Sequence, residues 1–280
     1  MKTYIASLDF DGTLRVDHME KETIELLKTI PDKVINVINT GRGIGILKEK
    51  IEHFFPEDSE LFIKSIKYFI CNNGSDIYYR SKEDFDTLKQ WSAYLKDQWD
   101  RELLLNRLTP LAEKLGFELY PVVYNFKLLY YFHKPSFDDA DVAIAEFKAS
   151  IEDLPVKLVY AQSSQKPPPG LMKFVCEIFP LKAGKGNALI FLKNHLEKNG
   201  IPIEAIACFG DDRNDLQTIV DMPLEYDWWY GCLVGNSTDW IIDKAKAAKQ
   251  NIENRIVIAP QEYPGPLGIE WIMKNLGWMN

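Results

Sequence analysis

The stretch Tyr4-Ile5-Ala6-Ser7-Leu8-Asp9-Phe10-Asp11-Gly12-Thr13-Leu14 decides the fold. Its opening is an apolar run of the kind that forms a strand buried on both faces, as in a parallel sheet covered by helices. The run ends in two acids separated by one residue, and the Gly and Thr that follow must turn the chain. In an open parallel sheet, ligands collect at the carboxyl ends of the central strands, so Asp9 and Asp11 stand where chemistry is expected. A tight Asp-Gly turn after an edge strand would use the same residues. The neighbouring segments have to separate the two.

Residues 18–30 carry Ile24, Leu26, Leu27 and Ile30 at helical spacing, and Pro31-Asp32 breaks the pattern. Val34-Ile35-Asn36-Val37-Ile38 then reads as a second buried strand, closing on Asn39-Thr40-Gly41-Arg42-Gly43. A strand, a helix and a strand in this space make a right-handed βαβ unit, so both strands run parallel and their carboxyl ends lie side by side. Thr40 would follow its strand as Asp9 ends its own. Its hydroxyl and the backbone N–H groups at Gly41 are the donors a phosphate needs, while a helix-capping Thr40 would look the same in sequence. A helix at about 44–55 and a strand at Tyr68–Cys71 follow, then Asn72-Asn73-Gly74, a tight turn opening a small hairpin.

From residue 81 to residue 172 the pattern changes. Residues 83–115 are charged and helical in period, with Trp91, Leu95, Trp99, Leu103, Leu104 and Leu108 on one side. Two β-rich runs at 117–123 and 126–132, a helix at 137–151 and a strand at Val156–Ala161 suggest an antiparallel sheet with helices on one face. Lys166-Pro167-Pro168-Pro169-Gly170 reads as a stiff connector or turn. The expectation is an α+β domain at 81–172 inserted between core segments 1–80 and 173–280. Phe174–Phe179 is then a core strand.

Lys185 lies between Gly184 and Gly186, ahead of a helix with Leu189, Ile190, Leu192 and Leu196 on its apolar face. Its ammonium can meet a phosphate there, or it is a solvated lysine in a Gly-rich loop. Ala205–Phe209 gives the next strand, ending in Gly210-Asp211-Asp212-Arg213-Asn214-Asp215. Three acids within five residues, brought beside Asp9 and Asp11, would repel one another. A divalent cation compensates such a cluster, and an all-oxygen ligand set suits Mg²⁺.

These four segments resemble, in order, the four motifs of the haloacid dehalogenase superfamily. The motifs are Asp-x-Asp-Gly-Thr at 9–13, Thr-Gly-Arg at 40–42, Lys-Gly at 185–186 and Gly-Asp-x-x-Asn-Asp at 210–215. Gly235-Asn236-Ser237 is similar to the Val-Gly-Asn-Ala segment that follows the fourth motif. An insert between the second and third motifs is the type IIB pattern. Within it, Gln98-Trp99-Asp100-Arg101 and Phe126-Lys127 resemble the cap of sucrose-phosphatase-like members. The resemblance covers the core, about two-thirds of the chain. It implies a Rossmann-like three-layer α/β core with a parallel sheet and an α+β cap.

The resemblance also implies Mg²⁺-dependent phosphoryl transfer through an aspartyl-phosphate. Asp9 would be the nucleophile, Asp11 the general acid and base, and Thr40, Gly41 and Lys185 the phosphate ligands. The metal would sit on Asp9, the backbone carbonyl of Asp11, and Asp211. Asn214 would orient the acids, and whether Asp212 or Asp215 also touches the metal stays open. Asn73, Lys127 and Arg101 are substrate-side candidates, alongside ordinary roles as a turn residue and surface cations. A carboxylate at Asp11 suits a phosphatase or mutase rather than a pump or a C–P hydrolase. The expected reaction is hydrolysis of a small phosphorylated metabolite, a sugar phosphate of the sucrose-phosphate or hexose-phosphate type. A phosphosugar mutase using the same phosphoenzyme, and a binding module that kept the fold, are the alternatives.

Composition limits the partners. The 280 residues are 46% apolar and 26% charged, ordinary for a soluble globular chain, and the net charge of −8 argues against general nucleic-acid binding. Cys71, Cys176, Cys208 and Cys232 lie in apolar segments without zinc-type spacing, as reduced buried thiols do. No apolar run approaches the ~20 residues that span a bilayer. The N-terminal residues lack the pattern of a secretory signal. The expected setting is cytoplasmic, away from membranes and nucleic acid, with the oligomeric state left open.

Overall fold

The computed structural model describes residues 2–81, 84–162, 167–252 and 254–280. The chain divides into two compact units, one of Met1–Leu88 with Lys185–Asn280 and one of Lys89–Gly184. The first unit begins with β1 (Thr3–Leu8), α1 (Glu20–Thr29), β2 (Val34–Asn39), α2 (Ile44–Phe54), α3 (Ser59–Ser65), β3 (Tyr68–Cys71), β4 (Asp76–Arg80) and β5 (Phe85–Thr87). The second unit holds α4 (Lys89–Lys96), α5 (Arg101–Leu115), β6 (Phe117–Leu119), β7 (Leu128–Lys134), α6 (Phe137–Ala149), β8 (Val156–Gln162) and β9 (Met172–Pro180). The first unit resumes with α7 (Lys185–Lys198), β10 (Ile203–Gly210), α8 (Met222–Glu225), β11 (Trp229–Leu233), α9 (Asp239–Lys249), β12 (Ile256–Ile258) and α10 (Gly265–Asn275).

The first unit is built on an eight-stranded sheet in the order β12-β11-β10-β1-β2-β3-β4-β5. From β12 through β3 every neighbouring pair is parallel, and β4 and β5 add on antiparallel. The expected α/β core with its parallel sheet is what forms. β1 lies between β10 and β2 because it has no face to give to water: Ile5, Ala6 and Leu8 are fully buried. The Ile5 and Leu8 side chains each contribute about 1.5–3 kcal/mol over leaving them exposed. Successive strand residues point to opposite faces. Ala6 and Leu8 therefore join one apolar cluster with Leu26 and Leu27 of α1, Leu47 and Ile51 of α2, Phe62 of α3, and Ile269, Ile272 and Met273 of α10. Ile5, Ser7 and Asp9 fall on the opposite side.

The second unit is a four-stranded antiparallel sheet, order β6-β7-β9-β8, with its own core. Here the structure corrects one expectation. Residues 174–179 are not a strand of the parallel core, because β9 pairs with β7 on one side and β8 on the other. The physical sign is its alternation: Phe174, Cys176 and Ile178 are fully buried while Val175 and Glu177 are half-buried. A strand of a helix-covered parallel sheet would be buried continuously, whereas one-faced burial belongs to an antiparallel sheet. The periodic run at 83–115 is likewise divided into β5, α4 and α5. The break falls where the Asp100 side chain accepts a hydrogen bond from the Leu103 N–H at 2.9 Å and caps α5.

Lys166 of the proline-rich run lies outside the described residues. Its continuation makes a turn, with the Leu171 N–H donating to the Pro168 carbonyl at 3.2 Å. No helix among the described residues is long and apolar enough to cross a membrane.

Candidate active site

The ends of β1, β2 and β10 meet the start of α7, and each brings one part of the site. Asp9 follows β1 directly and is 5% exposed. Its N–H still donates to the Phe209 carbonyl of β10 at 3.0 Å, so the ladder holds its backbone. The chain then folds back, with the Leu14 N–H donating to the Asp9 carbonyl at 3.1 Å and the Arg15 N–H to the Phe10 carbonyl at 2.7 Å. Gly12 makes this possible at φ +81°. A Cβ there would also lie 2.2 Å from Oδ2 of Asp211.

That close approach delivers the next contact. The Thr13 hydroxyl, fully buried, donates to Oδ1 of Asp211 at 2.7 Å. The Asp211 carbonyl accepts from the Thr238 N–H at 2.9 Å. Its own N–H donates to Oδ2 of Asp215 at 3.3 Å. Asn236 clamps the β1 loop from the far side. Its Nδ2 donates to the Gly12 carbonyl at 2.7 Å, and its Oδ1 accepts from the Gly265 N–H at 2.7 Å.

Lys185 is the first residue of α7 and is 5% exposed. Its ammonium donates to Oδ1 of Asp9 and to Oδ1 of Asp215, each at 2.7 Å. Carboxylate oxygens of Asp9, Asp211 and Asp215 all lie within 4.8 Å of one another. Burial pushes the Asp9 carboxyl up to about 7; Lys185 opposes the rise and the charges of Asp215 and Asp211 add to it. Burial likewise raises Asp211 to about 6, with Asp215 adding to it against the Thr13 hydrogen bond. Burial alone would lower Lys185, but the charges of Asp215 and Asp9 outweigh it and hold the ammonium above its ordinary value. Three oxygen ligands this close, two of them buried, fit a hard divalent cation, which would relieve the repulsion among them.

Thr40 is buried at the end of β2, with its N–H committed to the Ile70 carbonyl at 2.9 Å. Its Oγ1 accepts from the Arg42 N–H at 3.3 Å, so the hydroxyl proton is its remaining donor. Asn73 is brought to the same place. Its N–H donates to the Thr40 carbonyl at 3.2 Å, and its Oδ1 lies 3.0 Å from where a Cβ on Gly41 would sit.

Other sequence candidates take different positions. The Asp11 carboxylate is ion-paired with Nε of Arg42 and does not join the three-acid group. Asn214 is exposed, and the side chain that holds the Asp211 carboxylate is Thr13 instead. Asp212 accepts from the Thr238 hydroxyl at 3.1 Å. Lys127 and Arg101 belong to the other unit. There Lys127, 3% exposed, is ion-paired with Glu177 at 2.9 Å, and Arg101 opens α5. Thr13, Arg42 and Asn236 are the residues sequence reasoning left without roles. All three stand inside or beside the quoted motifs, so position was a signal, but nothing in the order of residues pairs them with Asp211, Asp11 or Gly12.

The family model of sucrose-6F-phosphate phosphohydrolase matches residues 2–267. Sucrose-phosphatase 1 of Nicotiana tabacum is 26% identical over 254 residues, which is 87% of this chain and 53% of the relative. Probable sucrose-phosphatase 2 of Arabidopsis thaliana is 25% identical over the same shares. The chain thus spans about half the length of the curated relatives it matches. Among solved structures, the sucrose-phosphatase of Synechocystis sp. PCC6803, in complex with sucrose and phosphate, matches with a TM-score of 0.66 at 19% identity, covering 99% of both chains. A haloacid dehalogenase-like hydrolase protein from Bacillus subtilis matches with a TM-score of 0.65 at 19% identity, covering 100% of this chain and 93% of that one. These two likenesses concern the fold.

Proposed function

Because the chain belongs to the sucrose-6F-phosphate phosphohydrolase family, within the haloacid dehalogenase superfamily, we propose that it is a phosphatase acting on a sugar phosphate of the sucrose-phosphate or hexose-phosphate type. One observation carries the reading. A buried carboxylate, Asp9, ends the central strand with an ammonium 2.7 Å away and two further carboxylates within 4.8 Å.

In this reading an oxygen of Asp9 attacks phosphorus, and the bond from phosphorus to the sugar oxygen breaks. Once Asp11 has parted from Arg42 and taken a proton from solvent, it gives that proton to the departing oxygen. Asp11 then takes a proton from a water that attacks phosphorus, the bond to Asp9 breaks, and orthophosphate leaves. Lys185 and the Thr40 hydroxyl donate to the phosphoryl oxygens, and Gly41 leaves room for them beside Asn73. Asp9 and Asp211, with the backbone carbonyl of Asp11, would hold Mg²⁺, and Asp215 adds a third carboxylate to the group. When bound, the cation would offset the charge of these acids and of the phosphoryl oxygens.

The test is phosphate release from a panel of sugar phosphates, with Mg²⁺ and with chelator, for wild type and Asp9→Asn. Loss of the nucleophile should lower turnover by on the order of 10⁴-fold, and chelation should abolish it. Normal turnover by Asp9→Asn, or indifference to chelator, refutes the mechanism. Release that requires an added sugar bisphosphate would identify a mutase instead.

A further inference from the structure

We propose that Asn39 is a positioning residue, which fixes the backbone at Lys185 and through it the place of the ammonium beside Asp9; this rests on the phosphatase reading. Asn39 is the last residue of β2. Leu8 pairs with Ile38 in the register of β1 and β2, so Asn39 stands one step further along, level with Asp9. Val37 and Ile38 before it are fully buried, as a parallel strand requires, yet Asn39 is a polar side chain only 3% exposed.

Its amide is only partly satisfied. Nδ2 donates to the Ser7 hydroxyl oxygen at 3.2 Å and to the backbone carbonyl of Lys185 at 3.3 Å, while Oδ1 is buried without a hydrogen-bond partner. A carbonyl can only accept, so the Lys185 contact fixes which end of the amide faces α7 and strands Oδ1 on the other side. An unpaired buried acceptor costs about 1–3 kcal/mol, and an apolar residue of the same shape would remove that cost. Packing therefore gives no reason for an amide here.

The Lys185 contact does give one. The carbonyl it holds belongs to the first residue of α7, so the hydrogen bond ties the start of that helix to the sheet at the level of Asp9. The Lys185 side chain leaves from the same residue and must reach Asp9 and Asp215 at once. A shift of the helix start by a fraction of an ångström changes both distances. Misplacement by about 1 Å can cost on the order of 10²-fold in rate.

The experiment compares wild type, Asn39→Leu and Ser7→Ala by kcat and KM on the sugar phosphate wild type hydrolyses best. It adds the affinity for inorganic phosphate by calorimetry, and circular dichroism for folding. Asn39→Leu should stay folded, lose roughly 10- to 100-fold in kcat and bind phosphate several-fold more weakly, because the ammonium is displaced. Ser7→Ala, which keeps the Lys185 contact, should stay within about fivefold of wild type, as neutral hydrogen bonds of ~1 kcal/mol allow. If Asn39→Leu does not fold, Asn39→Asp keeps the shape without a donor for the carbonyl and should show the same losses. Unchanged kcat and phosphate affinity in the folded Asn39 variant, or an equal loss in Ser7→Ala, overturns the proposal alone. A wild type that neither hydrolyses the panel nor binds phosphate overturns the phosphatase reading beneath it.

Discussion

Replacing Lys185 by Met removes one charge and little else. Met matches the length of the lysine stem and is as good a helix former, so α7 should persist. What is lost is the one cation shared by the carboxylates of Asp9 and Asp215, each 2.7 Å away and each 5% exposed or less. Removing one partner of a buried pair costs about 3–5 kcal/mol, because the remaining charge stays desolvated. Against a typical domain stability of about 5–15 kcal/mol this is a large fraction.

The loss also has a pH signature. Asp9 titrates near 7 in the fold because of burial, far above the ordinary value near 4 for an unfolded aspartate. Between those values the folded state keeps a proton that the unfolded state has released. The stability that proton contributes is full below about pH 4 and is lost as pH rises through about 7. Without the ammonium Asp9 should rise further. The deficit of Lys185→Met should therefore be near its full value of about 3–5 kcal/mol at about pH 8 and less than half of that at about pH 5, where the Asp9 carboxyl takes up a proton instead. Urea denaturation in chelator, followed by tryptophan fluorescence and circular dichroism, measures both. A deficit below about 1 kcal/mol at the higher pH, or one equal at the two, would refute the idea that the ammonium opposes the protonation of Asp9.

Three further outcomes test the acids and the turn that brings them together. In chelator, wild type should lose stability from about pH 4 to 7 relative to Asp9→Asn, since the Asp9 carboxyl, near 7 in the fold, is the group the variant lacks. Saturating Mg²⁺ should recover about 2.7 kcal/mol at a hundredfold excess over its Kd, and a melting temperature blind to Mg²⁺ would contradict the cation site. Gly12→Ala would force a Cβ to 2.2 Å from Oδ2 of Asp211 at a φ of +81°. It should weaken Mg²⁺ affinity and phosphate release at least tenfold, a loss of about 1.4 kcal/mol or more, and wild-type values in both would show that the loop yields instead.

How much of this was legible in sequence depended on whether a residue acts by its type or by its partner. Asp9, Lys185 and Asp211 stand at strand ends or a helix start, where an acid or a lysine flanked by glycines has few structural reasons to occur, and the structure places them together. Asp215 was legible as part of the acid cluster but not as the second anchor of Lys185, which needs the orientation of α7. Asn39 reads in sequence as one more polar residue before a turn. Its amide acquires meaning only when β2 lies against β1 and α7 closes over both. β9 misled for a different reason. Phe174-Val175-Cys176-Glu177-Ile178-Phe179 is apolar enough to pass as a core strand, and the one charged residue in it was the warning. Glu177 stands opposite Leu129 in the antiparallel ladder and is ion-paired with Lys127, which lies just before β7.

The charges of the site explain why its acids are worth their cost in stability. Two buried carboxylates, Asp9 and Asp215, pair with one buried ammonium, and the half-buried Asp211 offers an oxygen within 4.8 Å of theirs. If all were ionised the cluster would carry a net charge of −2. The chain alone can ease this only by letting Asp9 and Asp211 hold protons, which is the direction in which burial moves both. A protonated Asp9 is no nucleophile. A divalent cation would remove the same excess without using a proton and would leave Asp9 ionised for the attack proposed above. Readiness for chemistry and relief of strain would then be one binding event, and Lys185 must be held still enough to serve both Asp9 and Asp215 throughout. That requirement is the one a buried asparagine at the end of β2, donating to the Lys185 carbonyl, is placed to meet.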